Sequence, residues 1–151
     1  MTFAASWTAI YDRLVAMQAL AVTETRKVYD YIPPDSSPTP YWTNRMVDLQ
    51  RENQGTDMVK WTVQIEAALV MGYVTEGYDG KLQEKLQRTT IPDVISYFEV
   101  RPRMTYTGQA TPPVNLKEMM LSRNTGVRIA QSKVATSFIF TFEIQYRVDR
   151  N

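Results

Sequence analysis

The sequence predicts an α+β fold: an antiparallel β-sheet with long hairpins, flanked on one face by an N-terminal helix and a kinked central helix pair. Three patterns predict it. From Thr136 to Val148, Phe138, Phe140, Phe142, Ile144, Tyr146 and Val148 alternate with Ile139, Thr141, Glu143, Gln145 and Arg147. Side chains of a strand alternate between its two faces, so this is a long strand buried on one face only. A second alternation sets Val59, Trp61, Val63, Ile65, Ala67, Leu69 and Met71 against Lys60, Thr62, Gln64 and Glu66. The third pattern is helical: Phe3, Trp7, Ile10, Leu14 and Met17 recur at steps of four and three, one stripe of a helix with Thr2 or Ser6 as N-cap. One-faced strands call for an antiparallel sheet with helices on the apolar side.

In chain order, the helix is followed by TETRKVYDYI (23–32), rich in β-branched and aromatic residues and expected to be a strand. Pro33, Pro34, Pro38 and Pro40 then impose an extended loop. Tyr41 to Gln50 has strand character, and Asn53-Gln54-Gly55-Thr56 supplies turn chemistry, so the two halves form a long hairpin. Ala68 and Val70 make the polar face of that hairpin apolar at its far end, as if something covered it. Gly72, Gly77 and Gly80 mark a loop, and Asp79 is placed to cap a helix with Leu82 and Leu86. Thr90-Ile91-Pro92-Asp93 matches a capping box with proline in the first turn, so a second helical piece carrying Ile91, Val94, Ile95 and Phe98 starts there. Thr105 to Asn115 is irregular, Leu116 to Leu121 leads into a strand at Gly126 to Gln131, and the closing strand follows. The whole of residues 1–151 is expected to be one domain, long enough to bury roughly 70% of its unfolded surface.

Composition removes most chemistry. With no cysteine and no histidine, disulfides, thiolate–zinc sites, thiol nucleophiles and histidine-based triads are all excluded. Glu66 and Glu143, on the polar faces of long strands, read as solvated carboxylates with cationic neighbours Lys60 or Arg147. There is no phosphate-binding glycine loop and no calcium-loop spacing, so neither a cofactor nor a metal is expected. A formal net charge of +1 gives no electrostatic drive towards nucleic acid, although Arg101 and Arg103, and Arg123, Arg128 and Lys133, form local basic groups. The longest apolar run, Ala67 to Met71, is too short for a membrane span, and the first residues carry no secretory signal pattern. The expectation is a soluble, intracellularly assembled protein that is not an enzyme. Two proline-rich loops and long strands with apolar outer ends point instead to association.

The opening SWTAIYDRLVAMQAL with VTETRKVYDYIPPDS, the hairpin ending WTVQIEAALVM, the helix IPDVISYFEVRP and the closing FIFTFEIQYRV together resemble the tail terminator (tail completion, or neck) proteins of long-tailed bacteriophages. The resemblance covers most of the chain and rests on structural patterns. It implies a homohexameric ring on the head-proximal end of the tail tube, which ends tube growth and then joins the tail to the head-completion connector. The implied partners are the chain itself, the tail tube protein and the head-completion or stopper protein, with the tape-measure protein as a further candidate. The implied location is the neck of a virion assembled in the host cytoplasm. A ring closes through two different patches on each subunit. By position, the candidate contacts to tube or connector are Pro33, Pro34, Asp35, Pro38 and Pro40 in the first loop and Tyr106, Pro112 and Pro113 in the second. Ala68, Val70, Ile139, Glu143 and Arg147 are the candidates for contact between subunits. Alternatives are a head–tail stopper or adaptor, a tail tube subunit, and a small ferredoxin-like binding domain.

Overall fold

The computed structural model describes residues 2–34, 37–72, 84–122, 127–131 and 135–149. Helix α1 spans Phe3–Ala21, and β1 is Lys27–Tyr29. The hairpin is β2 (Tyr41–Gln54) with β3 (Met58–Met71). A π-helical turn at Leu86–Thr90 runs into α2 (Ile91–Glu99), and β4 (Leu116–Leu121), β5 (Val127–Gln131) and β6 (Thr136–Asp149) follow. The strands form a mixed, mostly antiparallel sheet of six in the order β1-β2-β3-β6-β4, with β5 also on β6. The fold is therefore α+β, one sheet with an N-terminal helix and a second helix.

β6 is the spine. It pairs along its whole length with β3, from Met58↔Asp149 to Met71↔Thr136. Its other side holds β4 near Phe142–Tyr146 and β5 near Thr136–Phe140, in tandem. The alternation read in the sequence is realised here: Phe138, Phe140, Phe142, Ile144, Tyr146 and Val148 are all buried. On the same face Val63, Ile65, Ala67 and Leu69 of β3 and Trp42 of β2 join them in one core with Ile10, Leu14 and Met17 of α1 and Val94 and Phe98 of α2. Aromatic rings hold the layers together. Phe98 lies 4.6 Å from Phe142 and 6.4 Å from Trp42, and Trp42 lies 5.6 Å from Phe140. At the other end Phe3 meets Trp61 edge-on at 4.8 Å, and Trp7 stacks on Tyr146 at 6.2 Å. Each fully buried ring of this kind contributes about 1.5–3 kcal/mol from lost apolar exposure alone.

Local signals account for several boundaries. Thr2 caps α1, its hydroxyl accepting from the Ala5 N–H at 3.2 Å. Gly55 turns the hairpin at φ +84°, where a side chain would be strained although nothing lies within 4 Å.

Four expectations are corrected, and one left open is decided. The strand read over 23–32 shrinks to Lys27–Tyr29, and it pairs with β2 in parallel, Val28 beside Trp42. Leu116–Leu121 is itself a strand rather than a lead-in. At Pro92 the two helical pieces could be separate or kinked; the Leu86–Thr90 turn runs on into α2 with Pro92 in its first turn. A proline there lacks the N–H that an α-helix would send back four residues, and a wider turn relieves the clash. The capping box does not form, because Thr90 is itself helical (φ −64°, ψ −52°) and its side chain caps nothing. Thr141, read as an open-face residue, is buried. Asp79 and Leu82 lie outside the described residues.

α1 is fixed to the sheet by more than apolar packing. Gln18 and Asn44 exchange two hydrogen bonds, 2.7 and 2.8 Å, with Gln18 fully buried and Asn44 6% exposed. Replacing Asn44 by leucine strands the Gln18 amide and should cost about 1–3 kcal/mol, whereas Gln18→Leu/Asn44→Leu together should recover most of the loss. Urea unfolding of the two single variants and the double variant measures this as a coupling energy.

Candidate interface

Among the described residues, helices cover only one face of the sheet. Its open face carries Thr43 and Arg45 of β2, Lys60, Thr62, Gln64, Glu66 and Ala68 of β3, and Ile139, Glu143, Gln145 and Arg147 of β6, as the cross-strand register requires. At its centre Glu66 is clamped by two guanidinium groups, Arg45 at 3.0 Å and Arg128 at 3.2 Å, which reach it from opposite sides of β3. Both arginines are more than half exposed, so each pair is screened and contributes at most ~1 kcal/mol. The expected partners were different. Lys60 bonds Glu52 at 3.4 Å, and Glu143 accepts from the Gln145 amide at 3.0 Å. Glu66 stands opposite Thr141 and Glu143 opposite Gln64, so the two glutamates are not a facing pair.

The predicted interface residues separate into three groups. Pro34, Pro38 and Arg147 are exposed. Pro40, Ala68, Tyr106, Pro112, Ile139 and Glu143 are half-buried. Pro33, Val70 and Pro113 are buried within the single chain. Val70 lies opposite Tyr41, which meets Tyr29 edge-on at 5.4 Å, so the chain's own β1–β2 corner closes the apolar end that was read as awaiting a neighbour. Pro113 holds the start of β4, its carbonyl accepting from the Leu116 N–H at 3.2 Å. Asp35, Arg123 and Lys133 lie outside the described residues.

Among the exposed apolar residues that sequence reasoning missed are those on β1's exit and on β2. Beyond Tyr29 the chain leaves the sheet, and Tyr31 and Ile32 project into solvent, Ile32 with 87% of its surface exposed. The departure follows from Asp30, whose carboxylate accepts a hydrogen bond from the Tyr11 hydroxyl on α1. A cleft of about 540 Å³ opens there between Asp30–Ile32 and the strands, lined by Arg45, Met46, Glu66 and Ala68 among others. Met46, Val47 and Leu49 of β2 are each 43% exposed, around a bulge between Met46 and Asp48. A signal existed: Met46-Val47 are consecutive apolar residues between the polar Arg45 and Asp48, as a bulge produces.

Among the described residues no group of three or more Asp or Glu is placed to hold a cation, and no helix is long and apolar enough to cross a membrane. The shifted ionisations belong to three tyrosines. Burial raises Tyr11, Tyr97 and Tyr146 above the ordinary phenol value, and the hydrogen bond to Asp30 raises Tyr11 further. No protein-family model and no curated protein sequence matches the chain.

The tyrosines generate a pH expectation. In the unfolded chain they ionise near 10.0 and in the folded chain higher, so above pH ~10 the folded state holds more protons than the unfolded one. Stability should be level below that pH and fall as pH rises through the folded values. Thermal unfolding between pH 8 and 11.5 tests it, and Tyr11→Phe with Tyr146→Phe should flatten the fall.

Proposed function

We propose that the protein is a structural subunit of a phage tail terminator, acting as a homohexameric ring on the head-proximal end of the tail tube. The observation that supports this most is the one-sided sheet. Among the described residues, long strands present an open face of mixed charge and a free margin, as suits a subunit that works by contact. The resemblance of the helix, hairpin and closing-strand motifs to tail terminators supplies the particular role. In this reading the ring matches the last tube hexamer on one side and the head-completion protein on the other, and its effect is geometric. Exposed Tyr31, Ile32, Pro34 and Pro38 give it an adaptable apolar rim for one of those docking partners. Tyr106 and Pro112 offer a second.

A tail tube subunit is the competing reading, favoured by the same free margin, since a tube subunit must also join its neighbours. Assembly distinguishes the two. A terminator should be a monomer or a single ring by mass photometry and should bind tube ends without extending. Concentration-dependent growth into long tubes would move the protein to the tube class. A chain that is monomeric at all concentrations and ignores tube ends would remove the ring reading. Ile32→Asp should leave the melting temperature within about 2 °C, because the residue is nearly fully exposed, while reducing attachment to tube ends or connector at least tenfold.

A further inference from the structure

For much of its length β2 is a margin of the sheet. β1 covers only Tyr41, Trp42 and Thr43, and no strand among the described residues lies beside Arg45 to Glu52 on the side away from β3. Such an edge is a template for another strand, and natural proteins blunt it with bulges and charge. Both devices are present: the bulge at Met46/Asp48, and the Asp48 carboxylate, which accepts from the Leu49 N–H at 3.0 Å. The opposite margin is β4 followed by β5. β4 is partly covered, since the Met119 N–H donates to the Pro102 carbonyl at 2.8 Å. β5 pairs only with β6 among the described residues, and its Arg128, Ile129 and Ala130 are exposed.

We infer that the β2 margin receives β5 of a second copy of the chain as an antiparallel strand, with Asp48 paired to Arg128 of that copy. This rests on the ring reading, in which neighbours meet through two different patches. The strand directions favour it. β2 and β6 run one way, β3 and β5 the other. Rotation about an axis along the strands preserves those directions, so β5 of the next copy arrives antiparallel to β2, giving a ladder of perpendicular hydrogen bonds.

The faces and charges agree in the same register. Asp48 and Arg128 both belong to the open face, and setting them opposite each other brings Val127 beside Leu49 and Ile129 beside Met46 on the helix-side face. Val47 is then the bulged residue, and the small Ala130 falls beside Arg45. The half-exposed Met46 and Leu49 and the 66% exposed Ile129 become one apolar row continuous with the core.

The stagger is also that of a closing sheet. Within one copy Arg128 is level with Ile139, Ala68 and Thr43, while Asp48 is level with Gln64. The shift is four ladder steps, about 14 Å, across four strands about 19 Å wide. That ratio corresponds to a strand tilt of about 35°, within the range of closed sheets. Asp48 then acts twice. In a single copy it occupies an edge donor, and in the ring it turns to the guanidinium and frees the Leu49 N–H for the incoming backbone. Glu66 keeps Arg45 when Arg128 leaves.

The absence of cysteine makes the test direct. Met46→Cys protein mixed with Ile129→Cys protein under mild oxidation should give a disulfide-linked dimer. The double variant should give a ladder ending at the ring size, and a Thr62→Cys control on the open face should give neither. Asp48→Arg and Arg128→Asp should each weaken association at least tenfold, and the two combined should restore it. Rings that form without the Met46–Ile129 link, or charge reversals that do not rescue each other, overturn this inference and leave the ring reading standing. A disulfide between two Met46→Cys chains shows β2 pairing with itself and overturns it as well. A chain that stays monomeric even with tube ends present removes both.

Discussion

The hydrogen-bonded pair Gln18–Asn44 sets the arrangement on which the other features depend. An unpaired amide in the core costs about 1–3 kcal/mol, so α1 has one acceptable position over β2, the one in which both amides are satisfied. That position places Tyr11 within reach of Asp30. The bond draws the chain off the sheet after Tyr29, ends β1 at three residues, and leaves the rest of β2 without a neighbour on that side among the described residues. A polar contact inside the core thus determines how much of the sheet margin is open.

Cover on one face follows from the same placement. α1 and α2 both lie over the row of Phe138, Phe140, Phe142 and Ile144, and no helix of the described residues crosses to the other side. What remains is a broad plane of strands with a charge cluster at its centre, Arg45–Glu66–Arg128. Such a plane suits extended contact with another surface.

The parts of this fold legible in the sequence are those fixed by local periodicity. β6 and β3 alternate because one face is buried along their entire length, and α1 carries its stripe because it packs on one surface. The parts that were not legible depend on contacts between distant segments. The residues of TETRKVYDYI have strand propensity throughout, yet only three pair, and the next residue, Asp30, is held by Tyr11 of α1, nineteen residues earlier in the chain. Pro92 reads as either a break or a kink, and only the widened turn before it shows how the helix runs on. Val70 and Thr141 sit at open-face positions by alternation, yet neighbours from their own chain bury them. For the interface, the loops and the apolar strand end were visible as compositional anomalies. The β2 margin was not, since whether a strand has a neighbour is a property of topology.

The position of β6 has a temporal consequence. It pairs with β3, β4 and β5, and it follows all three in the chain. During synthesis the β2–β3 hairpin emerges early, with Val63, Ile65, Ala67 and Leu69 bare on one side, and waits for a strand made much later. Pairing Met58 with Asp149 joins segments far apart in the chain, and such contacts fold slowly. Through that interval the hairpin has two unpaired margins instead of one, so the bulge and Asp48 on β2 guard a nascent intermediate as well as the finished subunit.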